Sequence, residues 1–282
     1  MVEAIITHSD IDGAAAAGIY LYLRDNPESH IFITEPYLLH RTLKKTLSAS
    51  FERILIMDLG INPVIYNEVI DYLKLLRHNN TPVEWFDHHV WEEKWIKNVR
   101  DLGVNLYIDQ STCATGVVVK YVNPIRSRLD HLFVENIVKG VCAGDLWTFN
   151  HWLGPFFIRL VRRRDSNQWR KHVIKRIANG ITWTDEFESK IIEHIEKELD
   201  YLNERIVHVT RRINNYTMII AESNETIENS FLAAYLIGRY NVDIAALISI
   251  DGKLSFRSRS VNVRDLATHL GGGGHLYASG AK

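Results

Sequence analysis

Residues 7–18 read THSDIDGAAAAG, and residues 84–89 read EWFDHH. The apolar Ala4-Ile5-Ile6 leads into the first stretch, and Val83-Glu84-Trp85-Phe86 leads into the motif that closes the second. Between them, Ile54-Leu55-Ile56-Met57 runs into Asp58. Short apolar runs rich in β-branched and aromatic residues have the pattern of buried strands. Three such runs therefore end in carboxylates or imidazoles: His8, Asp10 and Asp12; then Asp58; then Asp87, His88 and His89. Helical patterns at 13–23, 38–48 and 64–77 separate the strands, with a further strand at 31–34. This alternation is that of an α/β fold with a parallel sheet. Ligands of such sheets bind at the carboxyl ends of the strands.

His8, Asp10 and Asp12 are spaced two apart directly after a strand. In extended backbone alternate side chains point the same way, so the three converge on one cavity. Unpaired carboxylates held side by side cost on the order of several kcal/mol unless cations neutralise them. A site for two divalent metals is the simplest account. This mix of oxygen and imidazole donors suits Mn2+, Mg2+ or Co2+ better than a soft metal. Asp58 alone reads as a cap or loop residue. Beside two other strand ends it becomes the candidate bridge that two metals about 3.5–4 Å apart require. In Asp87-His88-His89, one imidazole can ligate metal while the carboxylate fixes a neighbouring ring's tautomer. Asp145, which ends the helical run through VCAGD at 141–145, completes the set.

The chain has 282 residues, 46% of them apolar and 24% charged, with a net charge of −1. Proteins that track long nucleic acid usually show a basic face, so this balance favours small anionic substrates. One basic run, Arg159, Arg162, Arg163, Arg164, Arg170, Lys171, Lys175 and Arg176, reads either as an anion-facing patch or as a solvated helix face. Cys113 and Cys142 are the two cysteines, too few for a disulfide framework, so a reducing interior is expected. No apolar run approaches the roughly 18 residues that span a bilayer, and no signal-peptide pattern opens the chain. A cytoplasmic protein with no membrane contact is expected.

From Asp185 to about Arg212, apolar residues recur at three- and four-residue spacing, which predicts one long amphipathic helix. After it comes a second alternating unit, with strands at 216–221, 243–250 and 253–258, helices at 227–239 and 263–270, and Asp251-Gly252 as a hairpin turn. The expected organisation is a catalytic domain at 1–184, a connector helix at 185–212 and a substrate-binding domain at 213–282. Gly271-Gly272-Gly273-Gly274-His275 lets backbone N–H groups approach an anion. Ser255, Arg257, Ser258 and Arg259 add hydroxyl donors and guanidinium forks for phosphate.

These motifs resemble those of the DHH phosphoesterase superfamily: HSDIDG at 8–13, the strand end at Asp58, DHH at 87–89 and the Gly144-Asp145 step. LSFRSRSVNVRDLATHLGGGGHLYASG at 254–280 is similar to the accompanying DHHA1 domain. The resemblance covers almost the whole chain. It implies a parallel-sheet DHH domain joined by a long helix to a smaller α/β DHHA1 domain. It further implies one metal held by His8, Asp10 and Asp58, and another by Asp12, Asp58, His88 and Asp145. His89 would sit near the phosphate, with Asp87 orienting an imidazole, and the usual ion would be Mn2+, two per chain. Residues 146–149 depart from the pattern of the best-known bacterial members.

The expected activity is hydrolysis of short oligonucleotides, such as dinucleotides, and of 3′,5′-bisphosphorylated adenosine, to nucleoside monophosphates. Asp58, His88, His89 and Asp87 would be catalytic. Ser255, Arg257, Ser258, Arg259, Gly272, Gly273, Gly274 and His275 would bind the substrate. The alternatives are a single-strand exonuclease of the RecJ-like branch and a phosphodiesterase of cyclic or linear dinucleotide messengers. Partners would be short single strands or nucleotides, with a homodimer as a further possibility.

Overall fold

The computed structural model describes residues 2–26, 29–49, 51–162, 164–224 and 226–281. The chain divides into two compact units, Met1–Ile191 and Ile192–Lys282.

In the first unit, five parallel strands are ordered β2-β1-β3-β4-β5: β1 Glu3–His8, β2 His30–Thr34, β3 Arg53–Met57, β4 Val83–Asp87 and β5 Asn105–Ile108. The order reverses between β1 and β3, and such a switch point is where an open α/β sheet opens a crevice. The strands are apolar on both faces because helices cover both. Ala4, Ile6, Ile54, Ile56 and Trp85 face α2 Leu39–Leu47, α3 Tyr66–His78 and α4 Glu93–Asp101. On the other side lies α1 Ile11–Arg24, buried along nearly its whole length. It packs against α5 Ala114–Tyr121, α6 His131–Asp145 and α8 Asn167–Ala178. A helix enclosed on all sides needs small residues, which explains the alanine run. A Cβ on Gly18 would meet Ile177 Cβ at 2.7 Å. The short helix α7 Gly154–Leu160 packs on α6.

The long amphipathic segment forms α9 Asp185–Asn203, with the Thr184 hydroxyl accepting from the Phe187 N–H. The helix expected to reach Arg212 stops nine residues earlier, because β6 His208–Ile213 follows as a strand. Val209, Thr210 and Ile213 are β-branched, and Asn214-Asn215 closes a two-residue hairpin that pairs Ile213 with Tyr216. Asn214 takes a left-handed φ of 54°, which such hairpin turns demand. The segment's three-to-four spacing coincides with a strand pattern over these last residues, and tertiary pairing decides between them.

The second unit is a six-stranded sheet ordered β10-β11-β9-β8-β7-β6. Its other strands are β7 Tyr216–Ser223, β8 Ile244–Ser249, β9 Leu254–Ser258, β10 Gly273–His275 and β11 Ala278–Ala281. Of these strands only β7 and β8 pair in parallel, joined through α10 Asn229–Tyr240. Leu232, Ala233, Leu236 and Ile237 of α10 cover one face of the sheet, while Val263 and Ala267, at α11 Arg264–His269, pack against Met218, Ile244 and Phe256. Strand β6 ends the sheet with all six residues exposed.

Two expectations need correction. Cys113 and Cys142 are joined in a disulfide, linking the residue that caps α5 to the last turn of α6. Helix packing brings the pair within bonding reach despite a separation of 29 residues, which no spacing rule signals. The basic run is also not a single exposed face. Arg162 and Arg170 are buried, and Arg163 lies outside the described residues. Among the described residues, no helix is long and apolar enough to cross a membrane.

Candidate metal centre

Four acidic or imidazole clusters meet at the carboxyl ends of β1, β3 and β4 and at the end of α6. His8 is the last residue of β1. Asp10 caps α1 and accepts from the Gly13 N–H at 3.1 Å. Gly13 is glycine of necessity, since a Cβ there would lie 2.6 Å from the His8 carbonyl oxygen. Asp12, in the first turn of α1, is fully buried. Its carboxylate accepts from the Ala114 and Thr115 N–H groups at 2.7 and 2.9 Å and from the Thr115 hydroxyl at 2.7 Å. The N-terminus of α5 thus holds this acid from a position over a hundred residues away. Asp58 follows β3 in a left-handed conformation, φ 55°, with its side chain 2% exposed. Asp87 ends β4, and Asp145 ends α6.

The side chains converge. His8 Nδ1 lies 2.9 Å from Asp10 Oδ2 and 3.3 Å from Asp58 Oδ2. His88 Nε2 lies 3.4 Å from Asp58 Oδ1, 3.6 Å from Asp145 Oδ2 and 3.8 Å from Asp12 Oδ2. Three groups have donor atoms within 4.8 Å of one another: His8, Asp10 and Asp58; Asp12, His88 and Asp145; Asp58, His88 and His89. Asp58 faces both sides. Asp87 stands behind, fully buried, taking the Trp91 indole N–H at 2.6 Å on one oxygen and His89 Nδ1 at 2.8 Å on the other.

The electrostatics are those of an unbalanced anionic site. Burial raises the carboxyls of Asp58 and Asp145 well above the usual range, and neighbouring carboxylates raise them further: Asp10 and Asp12 for Asp58, Asp12 and Asp58 for Asp145. Burial also leaves Asp12 raised. Burial alone would lower His8, but the Asp10 charge and bonds to Asp10, Asp58 and Glu35 raise it well above its ordinary value. His88 is raised against its burial by Asp12 and Asp145. Burial would raise Asp10 and Asp87, yet His8 and His89 respectively hold them low. Asp145 Oδ2 is buried without a hydrogen-bond partner. A bound cation would satisfy this carboxylate oxygen and offset the neighbouring raised acids, and the donor set fits hard divalent ions.

Sequence reasoning missed the groups that position these residues. Glu35 follows β2, so a fourth strand end contributes an acid; the strand-end rule applied to 31–34 finds it. Thr115 and Trp91 give no local signal, because their partners come together only in the fold.

In the second unit, strand period two divides the expected anion-binding set. Ser255 and Arg257 share the α10 face of β9. The Asn229 amide donates to Ser255 Oγ at 2.9 Å, and Arg257 Nη2 donates to Ser230 Oγ at 2.8 Å. Burial lowers the Arg257 guanidinium, whose bonds go to the neutral Ser230 hydroxyl and Phe256 carbonyl. Ser258 faces the other way and accepts from the Ser260 and Val261 N–H groups in a turn. Arg259 is exposed beyond the strand. The register His275–Ala278–Arg257 brings the glycine segment two strands from Arg257; the His275 side chain lies outside the described residues. The glycines have separate reasons. A Cβ on Gly272 would strike the Gly280 carbonyl, and one on Gly274 would lie 2.7 Å from Ala278 O. A Cβ on Gly273 would meet nothing within 4 Å.

A two-unit α/β protein with a carboxylate–imidazole centre at the switch point of its parallel sheet is thereby defined. Residues 215–282 match the DHHA1 domain. Over 99% of this chain, the fold is similar to RecJ from Thermus thermophilus in complex with Mn2+ (TM-score 0.56, 13% identity). It is similar to manganese-bound exonuclease RecJ (0.52, 13%, with 85% of that chain covered) and to CDC45 from Entamoeba histolytica (0.54, 10%, with 91% covered). The chain spans 49% of the Thermus RecJ. A search of the curated proteins finds no match. The family match thus covers the second unit, and the fold over almost the whole chain is that shared with RecJ and CDC45.

Proposed function

We propose that this protein is a phosphodiesterase that hydrolyses short oligonucleotides, dinucleotides foremost, to nucleoside monophosphates with two divalent ions, Mn2+ by preference. The observation that carries the reading is the convergence of His8, Asp10, Asp12, Asp58, His88 and Asp145 into two adjoining donor groups that meet at Asp58. His8, Asp10 and Asp58 would hold one ion, and Asp12, Asp58, His88 and Asp145 the other. Bound there, the ions would neutralise the carboxylates and make water acidic enough to attack phosphorus near neutral pH.

The remaining roles belong to protein groups. Asp87 is kept ionised by its partners, so it accepts Nδ1–H of His89 and fixes that ring with Nε2 as its working nitrogen. His89, raised above its ordinary value by Asp87, is suited to donate a proton or hydrogen bond to a phosphoryl or leaving oxygen. In the second unit, Arg257, Ser255 and the glycine segment would bind a substrate phosphate. A half-buried guanidinium bonded to neutral acceptors favours an anionic ligand. Arg162 and Arg170 are buried, and Arg170 donates to the carbonyls of Ser9, Arg162 and Asp165. That leaves less basic surface for tracking a long strand, which favours short substrates.

The test is Mn2+-dependent hydrolysis of end-labelled RNA and DNA from two to about 24 nucleotides, resolved by length. Rates that peak at two to four nucleotides support the proposal. Comparable rates on long strands, with salt-sensitive laddering, would replace it with a RecJ-like exonuclease.

A further inference from the structure

We propose that Glu35 is a positioning residue of the metal centre, holding His8 with Nε2 turned away so that Nδ1 is the nitrogen presented to metal with Asp10 and Asp58. This rests on the metal-centre reading above. Glu35 stands directly after β2, where the register sets His8 opposite Thr34. Its backbone is extended, φ −102° and ψ 154°, as Pro36 after it requires. One carboxylate oxygen accepts from the Ser9 hydroxyl, and the other lies 3.4 Å from His8 Nε2. On the opposite edge of the ring, Nδ1 faces Asp10 and Asp58 at 2.9 and 3.3 Å. Arg170 Nε donates to the Ser9 carbonyl, so the loop is held by an anion at its hydroxyl and a cation at its carbonyl.

The chemistry of imidazole couples the two edges. A carboxylate that accepts Nε2–H leaves the Nδ1 lone pair for coordination, and such outer partners raise the ligand's basicity. Glu35 would thereby fix both the nitrogen that binds and the angle at which it does so.

The experiment titrates metal-free protein with Mn2+ alone by calorimetry, for the wild type, Glu35→Ala, Glu35→Gln and Glu35→Asp. Glu35→Gln is nearly isosteric and still accepts from Ser9, so it guards against loss of fold. In parallel, 15N shifts of labelled histidine are recorded for the wild type loaded with diamagnetic Zn2+. We expect Ala and Gln to weaken one Mn2+ site about tenfold to a hundredfold. Asp should recover part of the loss, far-UV circular dichroism should show the metal-free variants folded, and the His8 shift should mark Nδ1 as the coordinated nitrogen. Unchanged Mn2+ affinity in Glu35→Ala and Glu35→Gln would overturn the proposal, as would coordination through Nε2. A wild-type chain that takes up no Mn2+ would overturn the metal-centre reading itself.

Discussion

At the scale of single residues, the titrating groups of the centre make stability depend on pH in a definite direction. Asp12, Asp58 and Asp145 have raised carboxyls, and His8, His88 and His89 have raised imidazoles. The folded state therefore binds more protons than the unfolded state above the ordinary carboxylate range. These contributions are present at low pH and are lost as pH rises through the folded values. Asp10 and Asp87, held low, act oppositely but only below about pH 4. The melting temperature of EDTA-treated protein should fall as pH rises above about 6.5, the ordinary imidazole value, and Mn2+ should suppress the fall; a flat metal-free profile would contradict the electrostatic account. Asp58 separates backbone from charge. Asn also tolerates a left-handed φ, so Asp58→Asn should fold normally yet lose more than about a hundredfold in Mn2+ affinity, beyond what an outer-shell change costs. The glycine run divides in the same way. Gly274→Ala should destabilise the second unit. Gly273→Ala should leave the melting temperature unchanged while lowering kcat/KM about tenfold, a split visible by pairing calorimetry with kinetics.

At the scale of elements, the β6–β7 hairpin offers a check on local structure. Replacing Asn214 by Val should cost about 1–2 kcal/mol in chemical denaturation, since a β-branched residue resists left-handed φ, whereas Gly should be tolerated. This hairpin also shows where legibility in the sequence stops. Strands β1, β3 and β4 stood out because fully buried strands are continuous apolar runs, and each ended in chemistry-bearing residues. Strand β6 did not, because an exposed edge strand with Arg211 and Arg212 carries no hydrophobic signature, and Val209 extended the helical spacing before it. Helices α4 and α7 were likewise unread, being short and rich in charged or aromatic residues, and α8 was read only as a possible solvated helix face. Within the candidate centre, every group brought to the strand ends by β1, β3 and β4 was visible from spacing. The contacts that hold those groups were not, since Thr115 lies 103 residues from Asp12, and only packing of α5 on α1 joins them.

At the scale of the whole molecule, each unit has its own hydrophobic core. All seven tryptophans, Trp85, Trp91, Trp95, Trp147, Trp152, Trp169 and Trp183, lie in the first unit. Tryptophan fluorescence therefore reports that unit alone, while far-UV circular dichroism reports both. Mn2+ should raise the fluorescence transition and leave a second dichroism phase in place; at a hundred times the dissociation constant the gain is about 2.7 kcal/mol. A dichroism curve that moves as one with fluorescence would show that the units unfold together.

Strand β6 has a consequence for how the protein behaves in concentrated solution. Among the described residues no strand pairs with its outer edge, its six residues are exposed, and Val209 and Ile213 lie among them. With a sequence pI near 6.9, the molecule has almost no net charge at neutral pH, so colloidal repulsion between copies is weak. Protection against strand-to-strand coalescence then falls to local charge, and Arg211 and Arg212 stand where it is needed. Replacing Arg211 and Arg212 by apolar residues should therefore promote self-association at neutral pH without changing the fold, which light scattering at rising concentration would show.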